Sequence, residues 1–132
     1  MFNKRIFLAI ATVAVLAGCG GGSEDTPYGS LAYNPVSYRV GGVANASSAG
    51  QAKSEAISTC ATGCITGLEF SGGGVCGASV AGFGGSRFVL GFATGKSKTE
   101  AINNAISECG KKGGKQCGNA AAGFNNFSLC NS

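Results

Sequence analysis

Histidine is absent from the chain, and with it the usual proton carrier of general acid–base catalysis and of Ser/His and Cys/His nucleophiles. Catalysis would fall to carboxylates or lysine, and acids are scarce, six in all against ten Lys and Arg. Glu24 and Asp25 stand in a Gly/Ser stretch, Glu55, Glu100 and Glu108 fall on expected helices, and only Glu69 lies in an apolar run. A two-carboxylate glycosidase needs acids facing each other at roughly 5–9 Å, and nothing pairs with Glu69 by spacing. Structural zinc sites favour C-x-x-C pairs joined by histidines or a second pair; the chain has neither. The glycine-rich stretches 71–74, 82–85 and 110–114 match no phosphate-binding fingerprint, so they read as turns, and no cofactor is implied. Tryptophan is also missing, which weighs against an aromatic binding surface. Finally, no apolar run is long enough to span a bilayer, which takes roughly twenty residues; the longest uncharged one covers residues 6–17.

That short run has a meaning of its own. Met1-Phe2-Asn3-Lys4-Arg5 supplies a positive start, residues 6–17 an apolar middle, and Leu16-Ala17-Gly18-Cys19 a lipobox. Residues 1–18 therefore read as a lipoprotein signal peptide, with Cys19 as the residue that takes the lipid. One acyl chain holds a protein only marginally at a membrane, whereas a diacyl thioether with an N-acyl group holds it in effect permanently. Gly20 follows Cys19, and the resemblance to Gram-negative lipoproteins implies sorting to the outer membrane, with the domain facing the periplasm. Residues 19–27, rich in Gly, Ser and acids, form a flexible tether, and residues 28–132 the folded domain. Without residues 1–18 the basic count drops to eight against six acids, a net charge of +2. So mild a balance does not predict nucleic-acid binding.

Six cysteines remain once Cys19 is assigned to lipid: Cys60, Cys64, Cys76, Cys109, Cys117 and Cys130. An even set in an exported chain reads as disulfides, which a domain this poor in large apolar side chains needs. The sequence also repeats itself. At an offset of 49, Ser30-Leu31-Ala32 falls on Ser79-Val80-Ala81, and Gly42-Val43-Ala44 on Gly91-Phe92-Ala93. Ser48, Gln51, Ala52, Ala56, Ile57 and Cys60 then fall on Ser97, Glu100, Ala101, Ala105, Ile106 and Cys109. An insertion at residues 111–115 moves Cys64 onto Cys117, and a further shift brings Phe70 onto Phe124 and Cys76 onto Cys130.

Ser97 with Glu100 is a capping box, and Ser48 with Gln51 its weaker twin. The Ala and Cys positions after each make one helix face, small enough to lie close to a sheet. Strands are expected at residues 31–33 and 39–44, with twins at 79–83 and 88–93 around a Gly84-Gly85-Ser86 turn. A third strand is expected at 65–70 and at 119–124. The fold class is thus α+β: two β-β-α-β repeats, about 28–76 and 77–130, forming one mainly antiparallel sheet with two helices on one face.

An Ala-rich helix ending in Cys, a second Cys after it, and Cys76-Gly77-Ala78 opening the second copy together resemble the domain of unknown function 4189 family over about residues 28–130. The resemblance implies an exported small domain of this fold and no established chemistry; Val43 and Phe92 stand at strand positions that are aromatic-rich in the family. Six cysteines allow fifteen pairings. Repeat symmetry favours Cys60 with Cys64 and Cys109 with Cys117, leaving Cys76 with Cys130.

Two features stand out as candidate partner contacts. Glu69 falls on Ala122 or Gly123 in the second copy, so the repeat does not require it. Lys111, Lys112 and Lys115 fill the insertion that the first copy lacks, where lysines past a helix C-terminus also serve as dipole partners. The functional expectation is a lipid-anchored periplasmic module that binds a protein partner, such as an inhibitor or immunity protein against a toxin or hydrolase. Alternatives are a structural envelope lipoprotein associating with peptidoglycan and, less favoured by the missing catalytic groups, a carboxylate hydrolase using Glu69.

Overall fold

The computed structural model describes residues 26–132; the expected signal peptide, the expected lipid site Cys19 and most of the expected tether lie outside the described residues. The element order is β1 (Tyr28–Tyr33), β2 (Val40–Ala46), α1 (Ala49–Cys60), β3 (Ile65–Ser71), β4 (Cys76–Gly84), β5 (Arg87–Gly95), α2 (Lys98–Lys111), a 3-10 turn (Ala120–Ala122) and β6 (Phe127–Cys130). This is an α+β chain of two β-β-α-β units.

Both helices start as their capping residues dictate. Ser48 Oγ accepts from Gln51 N and Ser97 Oγ from Glu100 N, each at 3.1 Å, while Glu100 reaches back to Lys96 N. Ala52, Ala56 and Cys60 on α1, and Ala101, Ala105 and Cys109 on α2, are buried. Ile106 is not; its side chain emerges at the surface.

The strands do not share one sheet. They form two three-stranded antiparallel sheets, β2-β1-β3 and β5-β4-β6. α1 lies on the first and α2 on the second. The faces turned away from the helices carry Leu68 and Phe70 on one sheet and Phe92 and Leu129 on the other. They meet: a Cβ added at Gly77 would touch Phe70 and Leu68, one at Gly67 Phe92, and one at Gly42 Leu129. The layer order is therefore helix, sheet, sheet, helix. A single sheet with both helices on one face would leave these apolar side chains in water, whereas stacking the sheets buries them against each other.

The two units also differ by a one-residue slip. Gly91 lies beneath α2 against Ala105 O and Cys109 N, and the residue beneath α1 in the same way is Gly41, against Cys60 N, not Gly42. The extra residue is absorbed by a bulge in β2, where Asn45 takes φ 63° and the pairing steps from Val43 to Ala46 opposite Ser30 and Tyr28.

The third strand of the second unit is displaced as well. Residues 119–124 are not a strand: Asn119 Oδ1 accepts from Ala121 N at 2.9 Å, and Gly123 closes the turn at φ 93°, which is the local chemistry that favours Asn and Gly in turns. The strand is Phe127–Cys130, set opposite β4 with Cys76 facing Cys130. The disulfides are Cys60–Cys64, Cys109–Cys117 and Cys76–Cys130, the pairing that the repeat favours.

Where the chain enters the domain, Asn131 ties the layers together. Buried to 2% exposure, it accepts from Asn45 N at 2.8 Å and donates to Pro27 O and Gly72 O at 3.2 Å each.

Candidate functional site

At the other end of β4 and β5 the chain turns tightly at Gly85 and Ser86, pairing Gly84 with Arg87 and Phe83 with Phe88. Gly85 takes φ 79° there, as such a two-residue turn requires. Phe83 and Phe88 are 39% and 43% exposed, which is unusual for residues of their size and gives this tip its character.

Two segments bring further rings to them. The 34–39 loop is built on Asn34, whose Oδ1 accepts from Val36 N at 2.8 Å and Ser37 N at 3.0 Å. Tyr38, at φ 61°, then lays its ring edge-on to Phe88 at 5.4 Å between centroids. From the other side, the segment after the 3-10 turn presents Phe124, 4.7 Å from Phe83 and 5.7 Å from Phe88, both edge-on. The edge-to-face geometry is that preferred by ring quadrupoles. So the residues expected to form a strand at 119–124 instead build one wall of the site.

The rings border two adjoining hollows that share Tyr38 and Phe88. One, of about 340 Å³, lies between Tyr33, Tyr38, Phe88 and Phe92 and takes Arg87 and Lys112 on its rim. The other, of about 310 Å³, lies between Tyr38, Phe83, Phe88 and Phe124. Among the described residues, no carboxylate lines either hollow. The site is thus an aromatic groove with a cationic rim, a composition common in protein interfaces.

The residues singled out from sequence are not gathered in one place. Lys112 belongs to the groove and donates from Nζ to Leu90 O at 3.3 Å. Lys115 holds the groove through its backbone, exchanging hydrogen bonds with Phe83 at 2.7 and 2.9 Å. Lys111 pairs with Glu108 on its own helix at 3.2 Å. Glu69 lies elsewhere, exposed beside Lys53 of α1 at 3.9 Å and bordering a separate hollow with Tyr28, Ala49 and Phe70. Its counterpart in the second unit is neither Ala122 nor Gly123 but Ser128, which faces Ala78 as Glu69 faces Ser30.

The groove rings themselves escaped sequence reasoning: in a chain without Trp, phenylalanine and tyrosine supply the ring cluster. The usable signal was Phe83 and Phe88 flanking a Gly-Gly-Ser turn, a cross-strand aromatic pair at a hairpin tip where solvent is expected.

The fold is that of a small disulfide-bridged α+β domain. The chain belongs to the family described as Domain of unknown function (DUF4189), whose pattern matches residues 28–122. No curated protein and no solved structure matches the chain.

Proposed function

We propose that this protein is a lipid-anchored envelope module that holds a protein partner in its aromatic groove, as an inhibitor or immunity protein against a toxin or hydrolase would. The observation that carries the reading is the exposed ring pair Phe83 and Phe88, with half-buried Tyr38 and buried Phe124 packed against it. Exposed aromatic rings beside an arginine are the composition of interface hot spots, and exposing them to water without use is costly.

The position of the groove supports the same reading. The tether enters at Pro27, bonded to Gly72 and Asn131 beside the Cys76 end of β4. The groove lies at the Gly84 end, roughly 26 Å away at about 3.3 Å per strand residue. A domain anchored through Cys19 would then present the groove away from its attachment, toward other envelope proteins and not toward its own lipid.

The test is co-purification from detergent-solubilised envelope with the protein tagged at its C-terminus. The expected result is one discrete envelope protein retained by the wild type and by Glu69→Gln, and lost with Phe88→Ala. Retention that survives Phe88→Ala, or sedimentation with purified sacculi in place of a protein partner, contradicts the proposal.

A further inference from the structure

Sheets end in edge strands whose unpaired peptide groups invite further strands, and proteins ordinarily blunt them with bulges, short strands or cover. Three of the four edges here are blunted. β2 carries the Asn45 bulge, β3 carries an extra residue at Gly67 opposite the Leu31–Ala32 step, and β6 has four residues. Beyond the first residue of β6, the segment that precedes it covers the rest of β4, with Gly118 N donating to Ala81 O and Lys115 paired with Phe83. β5 differs: it has nine residues, and its register with β4 is unbroken from Gly95 to Arg87.

Two contacts show which of its peptide groups point outward. Leu90 O accepts from Lys112 Nζ and Thr94 O from Asn104 Nδ2, at 3.3 and 2.9 Å, so neither carbonyl is turned toward β4. Antiparallel pairing alternates residue by residue, which puts the N–H and C=O of Phe88 and Phe92 on the same free edge. The larger hollow lies along this edge: it is lined by the consecutive residues Arg87, Phe88, Val89 and Leu90, which belong to both faces of the strand.

We propose that the β5 edge binds an extended, acidic polypeptide segment by strand addition, with its apolar side chains seated among Tyr33, Tyr38 and Phe92 and its carboxylates on Arg87 and Lys112. This deepens the groove reading and rests on it. Main-chain hydrogen bonds supply affinity in such complexes and alternate side chains supply specificity. Arg87 and Lys112, which form no salt bridge among the described residues, set the sign of the partner. Lys112 has a double part: in the free protein its ammonium covers Leu90 O, and a partner carboxylate draws it off that carbonyl as the incoming strand takes its place.

Selection of a random peptide library on the detergent-solubilised full chain tests this directly. The expected winners alternate Asp or Glu with aromatic or aliphatic residues. Their binding weakens roughly tenfold or more, about 1.4 kcal/mol, when the peptide amides facing β5 are methylated, and likewise in Arg87→Glu/Lys112→Glu. Amide resonances of Phe88, Leu90 and Phe92 shift on binding. Winners without acids overturn the proposal, as does a dimer of this chain joined through β5. If methylated peptides bind as well as unmodified ones while the rings of Phe83, Phe88 and Phe124 still respond, strand addition falls and the groove stands. If no sequence is enriched, both fall.

Discussion

Replacing Gly91 by alanine should destabilise the domain severely, by an amount that can be worked out from its surroundings. A Cβ at this position would lie 2.3 Å from Ala105 O, 2.5 Å from Cys109 N and 2.8 Å from Cys109 Cβ. The first two atoms are helix backbone, so no change of rotamer relieves the overlap. Ordinary contact would require α2 to rise by about 1 Å, yet Gly95 and Gly114 hold the helix equally close, against Ala101 N and Cys109 Sγ. Extra methylenes in a packed core cost typically about 1–3 kcal/mol, and lifting a helix that buries mainly alanine also forfeits dispersion along its length. We expect a loss of about 3 kcal/mol or more. With a urea slope of about 1.5 kcal/mol/M, the unfolding midpoint should fall by about 2 M under oxidising conditions. Gly41→Ala meets α1 less closely, at 2.7 Å from Cys60 N, and should lose less. Gly50→Ala meets nothing within 4 Å and should be neutral or gain up to about 1 kcal/mol from helix propensity. If Gly91→Ala unfolds at the wild-type midpoint with an unchanged slope, the close seating of α2 on β5 is wrong.

Disulfide removal should follow loop length: the sequence separations are 54 for Cys76–Cys130, 8 for Cys109–Cys117 and 4 for Cys60–Cys64. Paired Cys→Ala variants should lose about 4, 2.6 and 2 kcal/mol respectively from chain entropy, an order readable by urea titration. Asn131→Ala leaves Asn45 N without its acceptor, while Pro27 O and Gly72 O keep Gly72 N and Val75 N as donors; with one group unsatisfied, a loss of about 1–3 kcal/mol is expected. Hydrogen exchange should then open first at Tyr28 and Asn45. Glu69→Gln breaks only an exposed contact with Lys53 and should change stability by less than about 0.5 kcal/mol. Phe88→Ala, half exposed, should reduce partner binding far more than it shifts the melting temperature.

What was legible in the sequence was local. Ser48 and Ser97 fix the helix starts because a cap needs only residues three apart, and the Ala stripes fix the buried faces because helical periodicity is internal to the segment. What was not legible depends on distant residues meeting. Leu68, Phe70 and Phe92 read equally well as strand residues of one sheet or two, and only their burial against the facing layer decides. The segment at 119–124 looked like a strand by alignment with 65–70, yet Asn119 and Gly123 carry turn chemistry that outweighs the alignment. The groove was hidden for the same reason: Tyr38, Phe83, Phe88 and Phe124 come from three separated stretches, and each alone resembles an ordinary apolar strand or loop residue. Glu69, conspicuous in sequence because nothing repeats it, stands in the structure as a surface residue on the opposite side of its strand's business.

The most direct measurement is photo-crosslinking in intact cells with a photoreactive phenylalanine analogue placed at position 88 or at position 69. A groove that holds an envelope protein predicts one discrete crosslinked product from position 88 and none from position 69. A product from position 69, with none from position 88, would contradict the account.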